Sequence, residues 1–453
     1  MKRIGDILTR NKTSVVVKDG VSYKQVTIRT NYKGVVLRGS QDGSAILTKN
    51  QYRVAAGQFI LSRIDARNGA FGIIPKELEG AIVTNDFLAF DINEDEVERD
   101  FFNVFLQSPI FLEACIKASR GNTNRKRVEE SFFLDYQVNL PLLREQHTLI
   151  QQINQGRDSI ATAQHEITHQ EMLLAQLQQA ILQEAIQGKL TTDWRAAHPA
   201  TEPARELLHR IQAERARLIA AKKIKLGAKQ DSVDDKTNGL TFPPEWEFPH
   251  LDDITMLVTD GTHQTPTYTD SGRMFLSAQN VKPFRFMPEN HRFVSERAYV
   301  EYTKNYKAEK GDLLLGRVGA GIGETAVIDR DLDFAFYVSL GMVKTFKKHT
   351  VPQYLATVFN SPYGIRYAKG NISSKGGSAG NFNLGRIRSF RIPFPPLAEQ
   401  AAIVARVAAL QGRVRALAGE IAHTRTHAAH LLQAVLKEAF TPATNGNVSR
   451  RKS

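Results

Sequence analysis

Pro141-Leu142-Leu143-Arg144-Glu145-Gln146 leads into a helical stretch, Leu142–Ile186, and Pro395-Pro396-Leu397-Ala398-Glu399-Gln400 into another, Pro396–Phe440. Laid over each other at a constant offset of 254 residues (Pro141 on Pro395), the two stretches need no gap. Near their far ends Gln179-Ala180-Ile181-Leu182-Gln183-Glu184-Ala185 falls on Gln433-Ala434-Val435-Leu436-Lys437-Glu438-Ala439. Between these anchors runs an apolar column at heptad spacing: Ile153, Ile160, Ile167, Leu174 and Ile181 in the first copy, Val407, Val414, Ile421, Ala428 and Val435 in the second. A companion column of Ile403, Leu410, Leu417 and Leu431 gives the alternating four-and-three spacing of a coiled-coil seam. A proline opens each helix, where its missing N–H costs nothing. Roughly 45 residues at about 1.5 Å each make a rod of about 70 Å.

The offset extends outward from the rods. Gly57-Gln58-Phe59-Ile60-Leu61-Ser62-Arg63-Ile64 is answered by Gly311-Asp312-Leu313-Leu314-Leu315-Gly316-Arg317-Val318, and Ser108-Pro109 by Ser361-Pro362 one residue short of the same offset. The chain is therefore a tandem of domain and rod, twice over. Residues 1–141 read as a mixed domain, with short β-rich runs from Ser14 to Phe90, a helix around Glu96–Ser119, and Val128–Leu140 returning the chain to the rod. Residues 142–245 hold the first rod and a linker: Gly188 ends the helix, a polar helix spans Pro203–Lys225, and Gly227–Gly239 has no apolar pattern. Residues 246–395 repeat the first domain, 396–442 the rod, and 443–453 form a polar, basic tail expected to be disordered. If the rods pair, chain order makes them antiparallel, with the two domains at opposite ends about a pseudo-twofold axis. The fold class expected is α+β: two mixed α/β domains joined by two long antiparallel coiled-coil helices.

With 453 residues, 42% hydrophobic and 24% charged, the chain has the composition of a soluble protein with two or three cores. No apolar run approaches the ~20 residues of a membrane span, and no apolar signal core follows Met1-Lys2-Arg3, so a cytoplasmic location is expected. The one cysteine, Cys115, can form no internal disulfide, and with scattered histidines it makes no metal site; a buried, inert thiol is the expectation. The net charge of +13 favours a polyanionic partner, because Lys and Arg release condensed counterions from phosphates.

Two stretches suggest an enzyme. Gly319-Ala320-Gly321-Ile322-Gly323 after a strand looks like a nucleotide or S-adenosylmethionine loop, but its counterpart Asp65-Ala66-Arg67-Asn68-Gly69 keeps only the last glycine; a hairpin turn is expected. Asn360-Ser361-Pro362-Tyr363 is close to the Asn-Pro-Pro-Tyr with which amino-methyltransferases hold a flipped adenine. Its second residue is Ser, and Gln107-Ser108-Pro109-Ile110 lacks both the Asn and the aromatic, so a helix break is expected. No P-loop, nucleophile elbow or metal-dependent nuclease cluster stands out.

The basic loops read differently. Arg120-Gly121-Asn122-Thr123-Asn124-Arg125-Lys126-Arg127 packs four cations and two asparagines into eight residues, and Lys369–Asn381, with Asn371, Ser373, Ser374, Lys375 and Asn381, occupies the same place in the second domain. Arg and Lys bind phosphates or guanine, Asn reads adenine, and glycines let backbone approach a groove. Asp260-Gly261-Thr262-His263-Gln264-Thr265-Pro266 is a further reading loop, with Thr262 and His263 as candidates. Arg63, Arg67 and Arg317, on or beside the repeated strand, complete the candidate DNA-binding set.

Together these pieces resemble the specificity subunit of type I restriction–modification enzymes. The resemblance rests on the Pro-Leu-x-x-Glu-Gln pieces at 141–146 and 395–400, Gly188-Lys189-Leu190-Thr191-Thr192-Asp193-Trp194-Arg195, Phe242-Pro243-Pro244-Glu245-Trp246, Gly311–Gly323 and Asp260–Pro266. It implies two target-recognition domains, each reading half of a bipartite site in double-stranded DNA, with the helices as a ruler between them. It further implies no catalysis and no cofactor of the chain's own, two methyltransferase subunits that bring the S-adenosylmethionine chemistry, optional motor-nuclease subunits, and no membrane. Domain one lacks the Asp-Gly-x-His loop. The rival readings are a standalone DNA adenine methyltransferase built on Gly319–Gly323 and Asn360–Tyr363, the specificity subunit of a related methylation-based defence system, and a coiled-coil scaffold with incidental charge.

Overall fold

The computed structural model describes residues 1–121, 126–224, 227–228, 239–373 and 380–440, the side chains of 432–440 excepted. The chain divides into two compact units, Met1–Thr168 with Ala422–Ser453, and His169–Ile421.

In the first unit, strands β1 (Leu8–Arg10), β2 (Phe59–Ser62), β3 (Phe71–Ile73) and β4 (Phe87–Ile92) form an antiparallel sheet in the order β1-β4-β2-β3. Helices α1 (Arg99–Phe105) and α2 (Pro109–Lys117) follow. The single helix expected over Glu96–Ser119 is thus two. Pro109 cannot donate into a continuing helix, and the Ser108 hydroxyl instead accepts from the Phe111 N–H at 3.2 Å to cap a new one. The core between sheet and helices is built on phenylalanine: Phe59 meets Phe102 and Phe111 edge-on at 5.5 Å each, and Phe90 and Phe133 from its other sides. Edge-on ring pairs add to the area that each ring buries. A five-stranded sheet that includes Ser22–Ile28 and Val35–Asp42 makes a further layer with its own apolar cluster.

The second unit repeats the plan. Strands β5 (Thr255–Asp260), β6 (Leu313–Gly316), β7 (Thr325–Val327) and β8 (Leu340–Thr345) take the order β5-β8-β6-β7. Even the register is carried over: Leu61 opposes Phe71 in the first sheet and Leu315 opposes Thr325 in the second. The paired helices return as α4 (Pro352–Asn360) and α5 (Pro362–Gly370), capped by the Ser361 hydroxyl on the Gly364 N–H at 3.2 Å.

The rods are helices of 44 residues each, α3 (Leu143–Ile186) and α6 (Leu397–Phe440). Gln146 and Gln400 explain the motif at their starts. The amide of Gln146 accepts from the Glu98 N–H at 2.9 Å and donates to the Pro141 carbonyl at 2.9 Å; that of Gln400 accepts from the Val351 N–H and donates to the Pro395 carbonyl, both at 3.0 Å. Each rod is thereby tied to its own domain by a fully buried side chain.

Within the second unit the two helices run antiparallel. Glu399 meets Thr191 and Arg195, and Arg406 reaches the Leu190 carbonyl and Asp193, all just past the end of α3, while Gln411 and Arg415 line a cavity of about 590 Å³ with Gln178, Gln179 and Leu182 of α3, so rising numbers on α6 meet falling numbers on α3 and the segment that follows it. Gly188, at φ 69°, turns the chain out of α3; a side chain there would strike Arg195, Pro243 and Trp246. Of the heptad column, Ile153, Ile160, Ile167, Ile181, Val407 and Val414 are buried. The companion column departs from the expectation of a closed seam: Ile403 is buried, but Leu417 and Leu431 are 45% and 54% exposed. A seam set by sequence period says which side chains share a face, not whether that face is covered over its whole length. Val435, most of the linker 227–239 and the tail 443–453 lie outside the described side chains or residues.

Candidate nucleic-acid interface

In each domain a two-residue antiparallel ladder carries the ends of the basic loop: Ser119–Arg120 against Arg127–Val128, and Ile372–Ser373 against Asn381–Phe382. Arg120 stands opposite Arg127, and Ser373 opposite Asn381, so these four occupy equivalent positions. Arg120 is exposed and lies over the Phe132 ring at 4.5 Å; Arg127 pairs with Asp86 at 3.4 Å; Lys126 is exposed. Ser373 is exposed and accepts from Asn383, whereas the Asn381 Oδ1 is buried with no hydrogen-bond partner among the described residues. Asn371 is buried, donating to the Tyr367 carbonyl at 2.9 Å as it closes α5. Asn122, Asn124, Arg125, Ser374 and Lys375 lie outside the described residues.

The loop after β5 leaves the sheet through backbone bonds on both sides of Thr262, whose N–H donates to the Phe336 carbonyl and whose carbonyl accepts from the Val338 N–H, each at 3.0 Å. His263 projects beyond it, 73% exposed at the side chain, with Nε2 3.1 Å from the Asp260 carboxylate. Beside this loop is a cavity of about 360 Å³ whose opposite wall is the end of the helix Glu296–Thr303 and the turn after it, as far as Tyr306. Lys304, Asn305 and Tyr306 of that turn are candidate contacts that sequence reasoning missed, since the repeat was followed only from Gly311 onward and the turn before it carries no motif of its own.

Arg317 requires a correction. Arg317 was expected to face DNA, but its side chain is only 4% exposed. It is ion-paired with Asp260 and donates to the carbonyls of Phe382 and Val338, both at 3.0 Å. Burial pulls its pKa below the ordinary arginine value, against the opposing pull of Asp260. Arg63 is half-buried, with Nε on the Val128 carbonyl at 3.2 Å. Arg67 sits half-buried in the turn after β2.

The two enzyme-like stretches resolve as scaffold. Gly319–Gly323 is the hairpin turn joining β6 to β7. Asn360 is 3% exposed, and its amide bonds both the N–H and the carbonyl of Thr325, so it holds α4 to that hairpin. Cys115 is fully buried, which pushes its thiol well above the ordinary range. The Gly188–Arg195 and Trp246 pieces also prove structural: the buried Glu399 carboxylate accepts from Thr191, Arg195 and the Trp246 indole. No group of three metal-ligating side chains occurs among the described residues, and no helix there is long and apolar enough to cross a membrane.

The family model described as the type I restriction modification DNA specificity domain matches residues 1–169 and 243–421. The chain is 21% identical over 448 residues to the type I restriction enzyme EcoEI specificity subunit of Escherichia coli, covering 86% of this chain and 74% of that one. It is 20% identical to the EcoBI specificity subunit of the same species, over 94% of this chain and 83% of the relative. Similarity to the EcoAI specificity subunit of Escherichia coli is 26% over 251 residues, 51% of this chain and 38% of that relative's length. In fold the chain is similar to the HsdS subunit from Thermoanaerobacter tengcongensis (TM-score 0.51, 18% identity, 97% and 95% of the two chains). A chain from a type I R-M system solved to explain complex assembly gives TM-score 0.54 at 17% identity, over 97% of each.

Proposed function

The chain belongs to the type I restriction–modification DNA specificity family, and from that premise we propose that it is the DNA-recognition subunit of such an enzyme, with no catalysis of its own. The observation that carries this reading is the duplication: two matched domains, each with a ladder-mounted basic loop at the same register. Two such readers on one chain suit a bipartite target in double-stranded DNA. Arg120, Asn122, Asn124, Arg125, Lys126 and Arg127 serve one half-site; Thr262, His263, Ser373, Ser374, Lys375 and Asn381, joined by Lys304 and Asn305, serve the other. Arg67 stays a backbone-contact candidate. The +13 charge supplies the sequence-independent part of the affinity.

The S-adenosylmethionine chemistry is assigned to two methyltransferase subunits, with motor-nuclease subunits as further partners in the cytoplasm. In the second unit the rods leave Met172, Leu173, Leu177 and Leu417 about half exposed, apolar surface suited to a subunit partner. The reading as a standalone adenine methyltransferase has lost both of its supports, since the glycine loop is a hairpin and Asn360 is buried in the scaffold. The test is methyl transfer from labelled S-adenosylmethionine to DNA. The chain alone should transfer nothing, and addition of the methyltransferase subunits should give transfer at one bipartite sequence. Transfer by the purified chain alone would reject the proposal.

A further inference from the structure

Arg63 and Arg317 lie at the same place in the two halves, and their surroundings agree bond by bond. The Arg63 N–H donates to the Asp86 carbonyl at 2.8 Å and that of Arg317 to the Ser339 carbonyl at 2.9 Å. The Arg63 carbonyl accepts from the Val128 N–H at 2.8 Å, and the Arg317 carbonyl from the Phe382 N–H at 2.9 Å. In each case the guanidinium Nε then turns back to the carbonyl of that same residue, Val128 at 3.2 Å and Phe382 at 3.0 Å. Val128 and Phe382 are buried residues of the returning strand, one step inside Arg127 and Asn381. Each arginine thus grips, by backbone and side chain together, the strand that comes back from the basic loop and ties it to the central strand of the domain's sheet.

In the second domain the grip reaches further. The Arg317 Nη1 also binds Asp260 and the Val338 carbonyl, and the Asp260 Oδ2 that it binds is the atom 3.1 Å from His263. One buried guanidinium therefore joins three segments: the end of β5 from which the His263 loop departs, the turn before β8, and the ladder of Ser373 and Asn381. A planar guanidinium with five donors can hold several acceptors at fixed angles, which a lysine cannot. Burial raises the strength of each bond and the cost of leaving any of them unmade.

We propose that Arg63 and Arg317 are positioning residues for base recognition: each sets the geometry of its own domain's reading ladder, and neither touches DNA. This rests on the reading of the two domains as half-site readers. The consequence is asymmetric. Loss of one arginine loosens one half-site and leaves the other intact, because each grip is closed within its own domain. A direct phosphate contact would instead weaken binding evenly across sequences.

The experiment uses the complex of the full chain with its methyltransferase subunits, in four forms: unaltered, Arg63→Ala, Arg317→Ala and Arg317→Lys. Methylated sites are mapped base by base, and binding to the target is followed against salt. With Arg317→Ala, discrimination at one half-site should fall about tenfold, the order of a lost bidentate base contact, while the other half-site and the salt slope stay unchanged. Arg63→Ala should loosen the opposite half-site, and Arg317→Lys should behave as Arg317→Ala. If Arg317→Ala does not fold, as judged by its melting curve, Asp260→Asn replaces it. That variant keeps side-chain volume, drops the charge pair, and should loosen the same half-site. A folded variant with an unchanged motif, or a salt slope reduced by roughly one, would overturn the proposal. Absence of a bipartite motif in the unaltered complex would instead overturn the half-site reading beneath it.

Discussion

Gln146 and Gln400 carry more of the architecture than their type suggests. Each amide satisfies a domain N–H and the carbonyl that precedes the rod, at full burial. Gln400→Ala leaves both groups without their partner, which should cost about 1–3 kcal/mol for the buried Pro395 carbonyl and less for the half-buried Val351 N–H. The midpoint of urea unfolding should fall accordingly, while Gln176→Ala on the exposed face of α3 should move it by no more than about 0.5 kcal/mol. Equal effects would contradict the docking role. Cys115 offers a simpler check: its buried, poorly acidic thiol should resist a maleimide in the native protein and react once urea unfolds the first unit. Prompt native labelling would contradict the burial. At this scale the sequence was only partly legible. The Glu-Gln pair marked the rod starts, but nothing in it separated Gln400, whose partners are matched at Gln146, from Glu399. The latter gathers Thr191, Arg195 and Trp246 while Glu145 caps the exposed Leu142 N–H. Arg317 misled for the same reason, because residue type does not say whether a guanidinium meets solvent or a set of carbonyls.

Among elements, those with long periodic patterns were the most legible. Both rods run to within a residue of the expected bounds, since an apolar column kept up over five heptads has few other solutions. Ser108-Pro109 was visible as a repeated pair, yet its effect as a helix break was drawn only for its counterpart at Ser361. The exposure of Leu417 and Leu431 could not be read, because a period identifies a face and not what covers it. The buried column makes its own prediction. Ile160→Asp with Ile167→Asp puts two carboxylates at positions that are 5% and 4% exposed. Each buried, unpaired charge costs several kcal/mol, so the thermal midpoint should fall and target methylation should be lost at both half-sites together. An unaltered midpoint would show that this column bears no load.

For the molecule as a whole, duplication was the most informative property of the sequence. One offset of 254 residues held for rods and strands alike, and in the structure it holds for sheet order, register and the grips of Arg63 and Arg317. What it could not supply was the identity of bases read, which depends on side-chain geometry within the loops. The central claim is that two domains read two half-sites whose separation is set by the helix joining them. Its most direct test is the methylated motif of a complex in which four residues are inserted into α3 after Gln164, away from the buried Ala185 and Ile186. Four residues add about 6 Å of helix, or between one and two base pairs at about 3.4 Å each; an insertion of four is a stutter that a heptad seam can absorb by local unwinding. The predicted motif keeps both half-sites and gains one or two unread base pairs between them. An active insertion variant with the original spacing, or with an altered half-site, would contradict the claim.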